Sequence, residues 1–443
     1  MAIIGRNGSG KTLLAETITG RHPIRGKAPL YPFPPEEVAY LSFRDAYGGE
    51  TDRTYYLQQR WNQTEIDAEM PTVGESLCRE AVLTGHSPED VEALLASDIF
   101  HDALTPRLDK PLVLLSSGEL RKFHLAKTLL RRPRLLVIDN PFIGLDAESR
   151  TSVENLLASL AQSGSVHIVL VLSRPKDLPA FISHVVMMED RVAGPKITKE
   201  AYLSTLSVDR DIPSMPVITP SPSTDEVLAF NDVTIRYGSR TILSHFHWKV
   251  YKGQRWAISG RNGSGKSTLL SLVCADNPQA YACDISVFGH RRGAGQSIWE
   301  VKRRIGYVSP EMHRAYHRPI PVESVVASGF YDTVGLYHKA TPEQEAACRH
   351  WMAVFGIEDL IGRTFTTLSS GQQRLALLAR AFVRRPSLLI LDEPFHGLDD
   401  ENRRLVHQVI NDCCQSPDVT LLMVTHYADE FPACITDHLE FTS

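Results

Sequence analysis

The octapeptide Gly5-Arg6-Asn7-Gly8-Ser9-Gly10-Lys11-Thr12 returns as Gly260-Arg261-Asn262-Gly263-Ser264-Gly265-Lys266-Ser267, and both copies satisfy G-x-x-x-x-G-K-[ST] in full. The spacing is kept further along the chain. Leu115-Ser116-Ser117-Gly118 is repeated at Leu368-Ser369-Ser370-Gly371, and Leu136-Val137-Ile138-Asp139 at Leu389-Ile390-Leu391-Asp392. One nucleotide-binding unit is therefore written twice. Each loop follows a short apolar run (1–4, 256–259) and opens a helical pattern (12–19, 267–273), the strand–loop–helix setting a phosphate loop requires. Apolar strands continue to alternate with helices in both halves, which predicts an α/β fold with a mainly parallel sheet.

The bulk numbers narrow the function. Hydrophobic content of 43% and charged content of 22% over 443 residues suit a globular chain of two or three domains. A formal charge of −5 gives no electrostatic footprint for nucleic acid, so no DNA partner is expected. No apolar run reaches the roughly 18 residues a membrane helix needs. A phosphate loop starting at residue 5 is not a signal peptide. These features predict a cytoplasmic protein, peripheral at the inner face of the membrane if it acts there. The seven cysteines form no C-x-x-C pair and read as reduced thiols. His313 and His317 are four apart with no evident third metal ligand.

Composition also marks boundaries. Domain 1 spans 1–207, a Pro/Ser-rich linker 208–226, and domain 2 spans 227–443. Each half carries a more helical insert, at about 45–130 and 298–383. The first half has no counterpart of residues 227–255, strands whose loss is expected to leave an open sheet edge. The start of the first domain is therefore expected upstream of Met1. The stretch Tyr55-Tyr56-Leu57-Gln58-Gln59-Arg60-Trp61-Asn62 reads either as a one-sided helix or as a nucleic-acid contact.

Glycines let consecutive backbone N–H groups point at a phosphate, and the following helix N-terminus adds positive potential. Gly5, Asn7, Gly8, Gly10, Gly260, Asn262, Gly263, Gly265 and Thr268 are the candidate cradle. Lys11 and Lys266 would reach the β- and γ-phosphates, with Thr12 and Ser267 on Mg²⁺.

The run Leu-Ser-Ser-Gly, a basic helix, and then a strand ending in Asp resembles the signature and Walker B of ATP-binding cassette (ABC) ATPases over nearly the whole chain. The resemblance implies two P-loop NTPase domains in tandem, each with a helical subdomain, the first without its N-terminal strands. It implies an intramolecular head-to-tail pairing and two Mg·ATP sites. Site one would combine Lys11, Thr12 and Asp139 with Ser370, Gly371 and Gln372. Site two would combine Lys266, Ser267 and Asp392 with Ser117 and Gly118. Tyr237 would stack on adenine, and Gly144-Leu145-Asp146 and Gly397-Leu398-Asp399 would run along the seam.

Departures from the family pattern carry the mechanism. The residue after the Walker B Asp is Glu393 in the second half and Asn140 in the first. Only the carboxylate can accept a proton from water. The family's switch histidine matches His426, where the first half has Arg174. Site two therefore reads as hydrolytic and site one as a slow or regulatory clamp. The Q-loop glutamine is replaced by Phe43 and Pro310, which weakens the link to a permease. The first signature ends in Glu119 rather than glutamine. The second half is similar to ModF-type proteins, described as molybdate-transport-associated or photorepair ATPases, in residues 296–302, 305–309, 368–381 and 433–436. That similarity implies an integral-membrane permease in trans. Two alternatives remain, a non-transport ABC switch and a ribosome-associated ABC factor. The short linker and acidic charge argue against the second.

Overall fold

A computed structural model describes residues 1–22, 33–43, 71–97, 99–206, 223–238, 240–274, 276–295, 297–310, 312–316, 319–336, 339–427 and 430–441. The stretch 55–62, the side chains of His313 and His317, and residues 208–222 of the Pro/Ser-rich segment lie outside what is described. The chain divides into two compact units, Met1–Arg210 and Asp211–Ser443.

The first unit holds β1 (Ala2–Gly5), β2 (Val38–Ser42), β3 (Leu135–Asp139), β4 (His167–Leu172), β5 (His184–Glu189) and β6 (Val192–Thr198). They form one sheet in the order β2-β3-β4-β1-β5-β6, parallel except for the β5–β6 hairpin. The order interleaves early and late strands because each parallel neighbour needs a crossover helix. Leu135–Asp139 is buried at every residue, as a central parallel strand covered on both faces must be. A helical layer that includes Val73–Leu83 and Pro88–Ala96 packs Leu77, Phe100, Leu104 and Phe123 into one core with the sheet residues Leu136 and Ile138. Thr72 and Glu75 close a capping box that fixes where the first of these helices begins.

The second unit repeats this plan and adds to it. Strands β7 (Glu226–Tyr237), β8 (Arg240–Tyr251), β10 (Ile285–Val287) and β11 (His290–Arg291) form an antiparallel sheet in the order β11-β10-β7-β8. Strands β9 (Arg255–Gly260), β12 (Ile305–Val308), β13 (Leu388–Asp392), β14 (Thr420–Val424) and β15 (Asp437–Phe441) form an all-parallel sheet, β12-β13-β14-β9-β15. This is the strand order of the first unit. One expectation is corrected here. The strands within 227–255 build a sheet of their own, so lacking a counterpart leaves no open edge in the first unit's parallel sheet. The more helical insert at 298–383 begins beside the sheet, because it contains β12, whose apolar Ile305 and Val308 are drawn in next to β13.

Phe230 is fully buried, with its ring 5.7 Å from that of Phe246 and 5.9 Å from that of Trp248. Phe230→Ala is expected to lower the stability of the second unit by about 3–5 kcal/mol. Urea unfolding followed by tryptophan fluorescence checks this, since Trp248 lines the cavity created. An unchanged midpoint would remove this aromatic cluster from the core.

Candidate functional site

Both loops leave the carboxyl end of a central strand and enter an eight-residue helix, Lys11–Ile18 or Lys266–Val273. Gly8 and Gly10 have φ of 81° and 92°, and Gly263 and Gly265 have 80° and 105°, values that a side chain would strain. The lysines are buried and fold back over their own loops. Lys11 Nζ donates to the carbonyls of Gly5 and Arg6 at 2.6 and 2.7 Å, and Lys266 Nζ to those of Gly260 and Arg261 at the same distances. The hydroxyls of Ser9 and Ser264 are buried in these loops without a hydrogen-bond partner. Buried polar atoms in a native protein are almost always satisfied. Two orphans at equivalent loop positions fit a cradle that awaits acceptor oxygens.

The strand ends bring the next residues in. Thr12 Oγ1 donates to Asp139 Oδ2 at 2.9 Å, so the hydroxyl and carboxylate meet as an all-oxygen pair suited to Mg²⁺. Tyr40 Oη donates to the same oxygen at 3.1 Å, and Asn140 Nδ2 to Asp139 Oδ1 at 2.7 Å. Asp392 is buried at the matching end of β13. Asn140 and Glu393 both have positive φ, 53° and 47°, and each N–H extends the ladder to the next strand (Val171 O at 3.0 Å, Val424 O at 2.8 Å). A left-handed non-glycine residue costs roughly 1–2 kcal/mol. The same strained turn is thus kept in both units while its side chain differs.

Around Glu393 the second unit gathers two imidazoles. His426 Nε2 lies 2.9 Å from Oε1, and His396 Nδ1 lies 3.2 Å from Oε2. His426 Nδ1 faces the carbonyl of Gly260 at 3.2 Å, which ties the glutamate to the phosphate loop. Burial alone would push the Glu393 carboxyl up. The hydrogen bonds from His396 and His426 outweigh it and hold the carboxyl well below the usual range, so it stays ionised. The strand registers correct the expectation for Arg174: Val171 and Val424 are matching positions, so Ser173 stands opposite His426, and Arg174, one residue further on, lies 4.0 Å from Asp177, which it shares with Arg150 at 2.7 Å.

Each signature opens a thirteen-residue helix, Ser117–Leu129 or Ser370–Phe382, capped by Ser116 or Ser369. Ser117, Gly118, Ser370 and Gly371 thus stand in the first turn, where backbone N–H groups are open to an anion. Gln372 closes the second capping box, and Glu119 closes the first while also bonding Lys110 at 2.8 Å and Arg107 at 2.5 Å. Asp146 and Asp399 cap the next helices by accepting from Ser149 and Asn402. Tyr237 ends β7 half-buried, and its hydroxyl accepts from Asn277 Nδ2 at 2.7 Å.

Sequence reasoning missed three participants: His396, Tyr40 and a pair of buried arginines. Arg374 donates to the carbonyls of Ser309 and Asp392 at 2.7 Å each, of Pro394 at 3.3 Å, and of Glu393. Burial draws its guanidinium down to about 10, still charged at neutral pH. Arg121 donates to Pro141 and Ile143 and lies 4.9 Å from the ring centre of Phe43, the residue at the Q-loop position. The signal was available, because both arginines stand four residues after the signature serine in the two repeats.

Glu119 supplies a pH test. Burial raises its carboxyl, but Lys110, the Ser116 N–H and Arg107 more than offset this and bring it to about 2. A carboxyl depressed in the folded state adds stability that is present above its unfolded pKa of about 4.3 and is lost as pH falls towards 2. Glu119→Gln is therefore expected to flatten the loss of first-unit stability between about pH 5 and 3. Urea unfolding across that window checks it, and an unaltered slope would remove the ion-pair cluster as a source of acid sensitivity.

Among the described residues no helix is long and apolar enough to cross a membrane. The family model for the ABC transporter matches residues 1–143 and 243–396. The chain is 35% identical to the ABC transporter ATP-binding protein ModF of Escherichia coli over 99% of its own length and 90% of that protein. It is 32% identical to an uncharacterised ABC transporter ATP-binding protein of Schizosaccharomyces pombe, over 98% of the chain and 90% of the relative. Its fold also matches an archaeal ABCE1 in a model of ribosome-bound Pelota and ABCE1, with a TM-score of 0.57 at 19% identity over 96% of this chain and 69% of that one. That likeness speaks for the fold alone. The repeated loops, the Walker B strands, the signature helices and the full-length relatives agree, and the chain belongs to the ABC family of ATPases as a tandem member of the ModF type.

Proposed function

We propose that the two units form two Mg·ATP sites in head-to-tail fashion, each phosphate loop with the other unit's signature, and that only the site of the second loop hydrolyses quickly. The observation that carries this reading is the Glu393 carboxylate, ionised and held by His426 beside the loop carbonyl of Gly260. Glu393 takes the proton of the attacking water as its oxygen bonds the γ-phosphorus and ADP leaves. Lys266 and the loop N–H groups meet the charge on the phosphate oxygens. Mg²⁺, when bound by Ser267 with Asp392 or by Thr12 with Asp139, supplies charge neutralisation there. In the first loop's site the Asn140 amide donates to Asp139 instead, and an amide accepts no proton. That site holds ATP as a clamp. Tyr237 and the first-turn residues Ser117, Gly118, Ser370, Gly371 and Gln372 complete the contacts.

For the load, similarity to ModF over nearly the whole chain supports association with an ABC transporter of molybdate type, with a permease in trans. Phe43 and Pro310 at the Q-loop positions favour a second reading, a non-transport ABC switch. Affinity purification from membranes and from the soluble fraction separates them, an integral permease supporting the first and a soluble partner the second.

The catalytic reading is tested by turnover. Glu393→Gln is expected to lower kcat by about 10²–10⁴-fold, whereas Asn140→Ala changes it by less than about threefold on the same scale. Substantial activity in Glu393→Gln would make the first loop's site catalytic and overturn the assignment.

A further inference from the structure

We infer that His396 is a positioning residue for hydrolysis: its imidazole holds the second oxygen of the Glu393 carboxylate, so that with His426 the base is fixed at both oxygens before water arrives. This rests on the reading that Glu393 is the base. The terminal torsion of a glutamate is broad and roughly two-fold, so one hydrogen bond leaves the carboxylate plane free to turn. His426 Nε2 on Oε1 at 2.9 Å and His396 Nδ1 on Oε2 at 3.2 Å remove that freedom. A carboxylate accepts at about four lone-pair sites, so two bonds leave room for a water.

The backbone that carries His396 is held in place by its own surroundings. His396 N–H donates back to the Glu393 carbonyl at 3.1 Å, closing a tight turn. Phe395 within that turn is fully buried and stacks on His407 with ring centres 4.1 Å apart. Arg374 binds the Glu393 and Pro394 carbonyls from the signature helix. The first unit gives an internal comparison. The same turn is closed there by Ile143 N–H to Asn140 O at 3.4 Å, but isoleucine replaces His396 and Ser173 replaces His426. Where the carboxylate is absent, both groups that would hold it are absent too, while the backbone is retained.

The test is steady-state ATP hydrolysis by the full chain carrying His396→Ile, which installs the first unit's residue, or His396→Asn, whose amide nitrogen keeps a donor close to the place of Nδ1. His396→Ile is expected to lower kcat by about 10²-fold, the scale of a misplaced catalytic group, with KM for ATP unchanged. His396→Asn is expected to recover most of the loss. In a Glu393→Gln background His396→Ile should add nothing, since the two act as one unit. A normal kcat for His396→Ile, equal losses in both variants, or a rise in KM that accounts for the loss would each overturn the inference. Full activity in Glu393→Gln alone would instead overturn the reading beneath it. A dead Glu393→Gln beside a normal His396→Ile leaves that reading standing and removes only His396.

Discussion

The guanidinium of Arg374 joins what would otherwise be three separate pieces. It lies in the signature helix, yet its donors end on the carbonyls of Ser309 at the end of β12 and of Asp392, Glu393 and Pro394 at the end of β13. A buried cation needs such partners, because an unpaired one would be neutralised or expelled. Four carbonyls meet the need without an acidic side chain, and this leaves the carboxylates of Asp392 and Glu393 for chemistry. It also means that the left-handed turn at Glu393 cannot move without disturbing the helix that carries Ser370 and Gly371. The strain of that turn is held by this clamp rather than by the strand alone.

Arg121 donates to the carbonyls of Pro141 and Ile143 in the first unit, so a buried arginine of the signature helix holds that turn too, although the side chain after the aspartate differs. Asn140 keeps the positive φ and the strand bond of Glu393. Its amide then donates to Asp139, which also receives Thr12 and Tyr40. A carboxylate taking three donors is a fixed acceptor. The same backbone therefore presents, in one unit, an ionised carboxylate tied through His426 to the phosphate loop and, in the other, a held aspartate beside an amide.

Much of this was legible before any coordinates. Loop, signature and Walker B recur in the same order at nearly the same spacing, and a parallel α/β sheet follows from apolar strands alternating with helices. The contrast of Glu393 with Asn140 was readable at the level of functional groups. The fate of the strands in 227–255 was not, since nothing in their pattern says whether they extend a sheet or build a second one. Nor was His396. Its imidazole matters only because residues 393, 396 and 426 converge on one carboxylate, and the spacing within 393–396 gives no sign that 426 approaches from the neighbouring strand. The replacement of the Q-loop glutamine by Phe43 looked like a simple loss. The structure places the Arg121 guanidinium against that ring, so the phenylalanine packs on the buried arginine of the signature helix.

The division between the units follows from where each imidazole or its replacement finds a partner. His426 sits between Gly260 O and Glu393, and both are acceptors. The ring makes both bonds at once only when it carries two protons, and the positive charge then offsets the buried carboxylate. Ser173 in the same place cannot do this, because a hydroxyl carries neither a second donor nor a charge, and the cation of Arg174 beside it is engaged with Asp177. Restoring a glutamate at Asn140 alone would therefore set an unheld carboxylate beside Asp139. Two adjacent carboxylates without a cation favour protonation of one of them. Recovering a base in the first unit takes the histidines as well as the acid, and that requirement keeps the two sites apart.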